Sequence, residues 1–327
     1  MRNFACWIAT ALLLVSAIGT TLTVSATTAE ERSDLITLYL DTQGGGWTDN
    51  TGWCSGSCPL IGPPLFNTSG TECSWNGIAC DSNEHVIGIS LGSNNLIGSL
   101  PSFTHLVYLQ YFYAGNNALT GNSLNTSFLM NLDTVYLDSN QLDGVIPPIA
   151  NITPLQIYVV SNNALTGSIP SLNGLPNLRT FNAGNNHLTG GLPPLVGLTS
   201  LETFVVSRNN LSGWIPCLST GGTCNSGLTN LNVFDVDHNN LSGPIPSLTG
   251  LTNLGEFYVD YNRLTGAVPA VPTSGMLARL CSNLLDLTPS AYDAAWNTAT
   301  GLTHWWATPF SSNRCDELFN NDFEFSG

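Results

Sequence analysis

From Val86 onward, apolar residues fall in short alternating runs, each closed by an asparagine. One run comprises Leu155, Tyr158, Val160, Asn163 and Leu165 and ends in Gly167-Ser-Ile-Pro170. Tyr158 and Val160 alternate with Ile157, Val159 and Ser161, the period of a short strand with one face turned inward. The unit recurs. Asparagine stands every 23 residues at Asn94, Asn117, Asn140, Asn163, Asn186 and Asn209, and after seven extra residues it resumes at Asn239 and Asn262. An apolar residue stands eight, five and three positions before each, and Leu two positions after. A single coil of this kind leaves its apolar face wet, so coils must stack to make a core. The asparagine falls where the chain turns, and its amide can satisfy the backbone groups that a turn exposes.

The pattern resembles the plant-type leucine-rich repeat, LxxLxLxxNxL continued by SGxIP. The second signature reads Gly144-Val-Ile-Pro147, Gly190-Gly-Leu-Pro193, Gly213-Trp-Ile-Pro216, Gly243-Pro-Ile-Pro246 and Gly266-Ala-Val-Pro269, and the second repeat departs from it at Gly121-Asn-Ser-Leu124. The resemblance implies an α/β leucine-rich repeat solenoid. This would be a right-handed curved superhelix with a parallel concave β-sheet, irregular or 3₁₀ backbone opposite, and disulfide-bonded caps.

The ends fit the same family. Ala29 to Leu40 predicts a helix with Leu35, Ile36, Leu38 and Tyr39 as its apolar stripe. Trp47, Trp53 and Cys73-Ser-Trp75-Asn-Gly77-Ile-Ala-Cys80 resemble the amino-terminal cap of plant-type repeats, and Cys54 to Thr71 reads as an inserted loop rich in Pro, Gly and Ser. Trp296, Trp305 and Trp306, between Cys281 and Cys315, are suited to covering the last coil. Residues 1–26 are expected to be a signal peptide and 27–85 the amino-terminal cap. The eight repeats are placed at 86–269, with a seven-residue insertion near 217–224, and 270–327 is taken as carboxyl-terminal cap and tail.

Charge narrows the partners. The chain has 22 acidic residues, 7 Lys plus Arg and a formal charge of −15. That disfavours nucleic acid, whose binding relies on neutralising phosphates, and anionic membrane surfaces. Arg2, the apolar run Ile8 to Ile18 and the small residues Val24-Ser-Ala26 read as a secretory signal, too short to span a membrane. Its removal takes Cys6 and leaves eight cysteines, an even number in an exported chain. They lie near one another as Cys54 with Cys58, Cys73 with Cys80, Cys217 with Cys224, and Cys281 with Cys315. Cys54 and Cys58 also have a spacing that suits zinc, while export favours disulfides. The Cys217–Cys224 bridge would stiffen the inserted loop, either as a tolerated staple or as a protrusion that meets a partner.

Catalytic signatures fail in context. Gly88-Ile-Ser90-Leu-Gly92 matches GxSxG but falls on a repeat strand, with no elbow. His85, His105, His187, His238 and His304 have no triad or metal spacing and are assigned to the surface. Asp235-Val-Asp237-His-Asn239 begins like a calcium loop, but Asn240 stands where Gly is needed and Pro246 where Glu is needed. The sequence therefore points to a non-enzyme without cofactor or metal centre. Sequons at Asn67, Asn125, Asn151, Asn210 and Asn240 matter only in a eukaryotic secretory route.

The outward strand positions carry the remaining information, because equivalent residues on adjacent coils are about 4.8 Å apart. Tyr111, Tyr113 and Tyr136 cluster near the amino end, and Ile157, Val159 and Val205 extend an apolar strip. Tyrosine is favoured at interfaces for its flat apolar body and polar tip. Asp235, Asp237, Glu256 and Asp260 gather at the carboxyl end, with His238, Tyr258 and Tyr261 nearby. Asp237 and Asp260 are expected to be neighbours, an unfavourable pairing unless a cation answers it. The cluster is either a receptor for an Arg or Lys side chain, an amine or Ca²⁺, or a solvated acidic edge. The candidate ligand-binding residues on the concave face are thus Tyr111, Tyr113, Tyr136, Val159, Asp235, Asp237, Glu256, Tyr258 and Asp260.

The resemblance extends to receptor ectodomains and polygalacturonase-inhibitor-like proteins. It implies a secreted, extracellular, non-catalytic protein that binds a protein or peptide on its concave face. Inhibition of a glycan-degrading cell-wall enzyme and polysaccharide-binding adhesion are the alternatives.

Overall fold

The computed structural model describes residues 27–221, 224–272, 275–286 and 291–301. The expected signal segment, Cys315, His304, Trp305, Trp306 and the rest of the expected tail beyond Gly301 lie outside these residues, as does the side chain of Cys224. A ten-stranded sheet runs the length of the described chain. Its strands, in order, are β1 (Ile78–Cys80), β2 (Val86–Ser90), β3 (Tyr111–Tyr113), β4 (Thr134–Tyr136), β5 (Ile157–Val159), β6 (Thr180–Asn182), β7 (Thr203–Val205), β8 (Val233–Asp235), β9 (Glu256–Tyr258) and β10 (Leu277–Arg279). Strand β1 pairs antiparallel with β2, and every later pair is parallel. Register crosses the insertion unchanged, Thr203 pairing with Val233. The added residues fold out as a small antiparallel hairpin, Thr220–Gly221 on Cys224–Asn225.

The inward strand residues form an aromatic spine. Tyr158, Phe181, Phe204, Phe234 and Phe257 stack at centroid spacings of 6.0, 5.7, 5.8 and 5.7 Å, all fully buried. Such pairs contribute about 0.5–1.5 kcal/mol each beyond the area they bury. Tyr158 keeps its hydroxyl because Ser123 Oγ lies 3.1 Å away to partner it.

The asparagine ladder is wired from coil to coil. Asn186 Oδ1 accepts from Leu165 N–H at 2.9 Å, and its Nδ2 donates to the carbonyls of Val160, Ala183 and Gly184. Asn94 has no earlier coil to serve, so its Nδ2 donates to the Asp49 carbonyl and its Oδ1 accepts from Asp49 N–H. The cap thereby imitates a preceding repeat. At the other end Asn283, beyond the expected boundary at Pro269, is wired in the same way to Leu264 N–H and to the carbonyls of Val259, Leu280 and Cys281. Opposite the long sheet, the residues after each asparagine form two shorter parallel sheets and isolated bridges. The 3₁₀ backbone envisaged there does not occur among the described residues between Cys80 and Asp286.

Helix α1 (Ala29–Asp41) starts at Thr28, whose hydroxyl accepts from Glu31 N–H while Glu31 returns a bond to Thr28 N–H. This capping box satisfies two orphan donors. The helix packs Leu35, Leu38 and Tyr39 on Trp47, Trp53 and Trp75, which close the open core. Disulfides Cys54–Cys58 and Cys73–Cys80 pin the cap. Cys217 and Cys281 are also disulfide-bonded. At the far end, helix α2 (Asp293–Thr300) lays the buried Trp296 near Phe257, and the indole N–H donates to the Pro269 carbonyl at 2.8 Å.

Candidate functional site

The outward face of the long sheet presents the expected columns. Gly88 pairs with Tyr111 and Ser90 with Tyr113 across β2 and β3, and Tyr113 pairs with Tyr136 across β3 and β4. Tyr111 and Tyr113 stack at 5.2 Å, and Tyr136 meets Tyr113 edge-on at 5.5 Å. Tyr136 is exposed, while Tyr111 and Tyr113 are half-buried. Two adjacent coils thus present three tyrosines as one joined aromatic platform. Ser90 stands on strand β2 without an elbow, which removes the GxSxG reading.

Several positions differ from expectation. Val159 points outward but is 8% exposed, flanked in register by Tyr136 and Asn182. Asp237 and Asp260 are not a solvated edge, being 6% and 3% exposed. His238 stacks on Tyr261 at 4.1 Å, and this ring pair lies beside them. Two other histidines, given to the bare surface on sequence grounds, serve helix α1: His85 lies 3.5 Å from Glu31 and His105 lies 3.1 Å from Asp34. His187 is exposed as expected.

The carboxyl-terminal cluster is electrostatically strained. Burial, and then the neighbouring charge of Asp237, push Asp235 up to about 7, with its hydrogen bonds to Asp237 N–H and Ser207 acting the other way. Burial and Asp237 likewise raise Asp260 to about 6, against the pull of Arg279. Arg279 holds its guanidinium carbon 4.5 Å over the Tyr258 ring. Burial, followed by the Glu256 carboxylate, raises the Tyr258 phenol to about 12. Arg279 is not recognisable as a site residue in a repeat array that ends at Pro269. The Leu280-x-x-Asn283-x-Leu285 string, 21 residues after the preceding frame, was the signal that could have found it.

Two further exposed apolar features lie off this face. Trp214 is 74% exposed on the shorter sheet, and Leu60, Ile61 and Leu65 project from the cap loop at 81%, 93% and 77%.

Residues 177–198 match the Leucine Rich Repeat family. The chain is similar to the plant peptide hormone receptor RGFR1, solved in complex with RGF2, at 30% identity and a TM-score of 0.55, over 60% of this chain and 32% of that one. It is similar to a TDR receptor at 28% identity and a TM-score of 0.54, over 65% of this chain and 38% of that one. This protein is a plant-type leucine-rich repeat protein. A plant ice-binding protein shares the solenoid fold at 23% identity and a TM-score of 0.60, over 79% of this chain and 80% of that one. The leucine-rich repeat chain described here spans about a third of the receptors' own length, 32% and 38% respectively. No helix among its described residues is long and apolar enough to cross a membrane.

Proposed function

We propose that this leucine-rich repeat protein is an extracellular, non-catalytic binder that takes a protein or peptide segment along the outward face of its long sheet. The observation that carries this reading is the joined platform of Tyr111, Tyr113 and Tyr136. The repeat pattern requires no aromatic at these positions, and the rings are fixed by one another before any partner arrives. Aromatic anchors that lose little freedom on binding are the usual centres of interface energy. The half-buried acids Asp235 and Glu256 at the other end suit a segment that also carries Arg or Lys. The RGFR1 structure, which holds RGF2, supports a peptide ligand by analogy. Cap disulfides support an extracellular setting.

Peptides selected from a displayed random library against the folded protein test the reading. Tyr113→Ala should weaken the selected peptides by tenfold or more, with an unchanged circular dichroism spectrum and melting temperature. Selected peptides that bind Tyr113→Ala and Glu256→Gln as tightly as the parent would remove the proposal.

A further inference from the structure

Three side-chain atoms converge between the eighth and ninth strands with nothing to bond. Asp237 Oδ1, His238 Nδ1 and Asp260 Oδ1 are buried and have no hydrogen-bond partner among the described residues. Buried polar atoms are nearly always paired, and one orphaned carboxylate oxygen already costs on the order of 1–3 kcal/mol. Here three orphans share one place. The donor atoms offered by these residues all lie within 4.8 Å of one another.

The contact between His238 and Asp237 is informative in itself. His238 Nδ1 and Asp237 Oδ1 are 3.2 Å apart, yet their directions do not make a hydrogen bond. Two donors bound to one ion behave in this way, because each lone pair points to the ion and not to the other donor. Metal–ligand bonds of about 2.0–2.2 Å place adjacent donors of a tetrahedron roughly 3.3 Å apart. Drawing the widest separation, 4.8 Å at most, in to that edge takes up to roughly 1.5 Å of movement shared between two side chains.

The fold holds these groups in place. Asp237 and His238 precede ladder residue Asn239, and Asp260 precedes Asn262 on the next coil, so the ladder fixes both backbones. His238 N–H donates to the Asp260 carbonyl at 3.0 Å, which joins the two coils at the site. Stacking on Tyr261 sets the imidazole plane. Arg279 offsets part of the charge on Asp260, yet Asp260 Oδ1 keeps no donor.

We propose that Asp237, His238 and Asp260 form a binding site for a divalent first-row transition-metal ion, with Zn²⁺ as the best-matched occupant. Two carboxylate oxygens and one imidazole nitrogen suit Zn²⁺, whereas Ca²⁺ and Mg²⁺ prefer oxygen-only sets. The proposal departs from the sequence expectation of no metal centre. The ion would staple two adjacent coils and leave its remaining positions to water. This site stands independently of peptide binding at the tyrosine platform.

Isothermal titration of the EDTA-treated, disulfide-intact protein with ZnCl₂ alone tests it. One equivalent should bind, and the melting temperature should rise with Zn²⁺ concentration, as mass action requires for a ligand of the native state. His238→Gln and Asp260→Asn should each weaken binding by tenfold or more, while Asp138→Asn, an acid in the same column several coils away, should not. Anomalous diffraction at the zinc edge checks the position even if a variant folds poorly: the peak belongs between these three residues. Absence of stoichiometric binding, equal binding by His238→Gln, or a peak elsewhere would overturn the proposal.

Discussion

Tyr111 lies across the α-carbon of Gly88, its register partner on the neighbouring strand. A β-carbon at Gly88 would run into the Tyr111 ring. The glycine is therefore the seat of the aromatic platform. Gly88→Ala is expected to destabilise the protein by about 1–3 kcal/mol through overpacking. Tyr111→Ala should lose less, and the double variant should recover most of the Gly88→Ala loss. A double-mutant cycle by urea denaturation reads this coupling, and simple additivity would contradict it.

The ladder supplies a second prediction. Asn186→Ala orphans Leu165 N–H and removes a donor from three carbonyls, those of Val160, Ala183 and Gly184. Each carbonyl keeps another donor, from Asn163, Asn209 and Asn162 respectively, so the orphaned Leu165 N–H sets the loss at roughly 1–3 kcal/mol. Chemical denaturation measures it. Asn173→Ala, on an exposed residue without a positive φ, should cost far less.

Tyr158 makes stability depend on alkaline pH. Burial pushes its phenol up to about 12, only partly opposed by the Ser123 hydrogen bond, whereas the unfolded chain titrates near 10. The folded state therefore holds its proton after the unfolded state has lost it. The contribution is intact below pH 10 and falls as pH rises through 12. Tyr158→Phe should lower stability by about 1 kcal/mol at neutral pH, through the unpartnered Ser123 hydroxyl. It should also remove about one proton from the slope of stability against pH between 10 and 12. Denaturation curves at half-unit intervals would show an unchanged slope if this account were wrong.

Much of this structure was legible in the sequence. The 23-residue asparagine spacing placed the strands of the repeats, and the close cysteine pairs anticipated Cys54–Cys58 and Cys73–Cys80. Direction was legible, but coverage was not. The alternation says that Asp237 and Val159 point out of the coil, but it cannot say that neighbouring coils cover them. Nor does spacing reveal that His238 turns its Nδ1 toward Asp237, because that depends on its ring stacking with Tyr261. Asn283 escaped notice for a different reason: its coil is two residues shorter and has Ala278 where the others carry a larger apolar residue.

A peptide held along the outward face of the long sheet, as proposed, would shield the amides of that sheet. Hydrogen–deuterium exchange of the protein, with and without a selected peptide, measures this most directly. The account predicts new protection at the amides of Tyr111–Tyr113, Thr134–Tyr136 and the strands that follow them, with little change in the shorter parallel sheet around Trp214. Protection confined to the Ser212–Trp214 side, with the tyrosine strands unchanged, would contradict it.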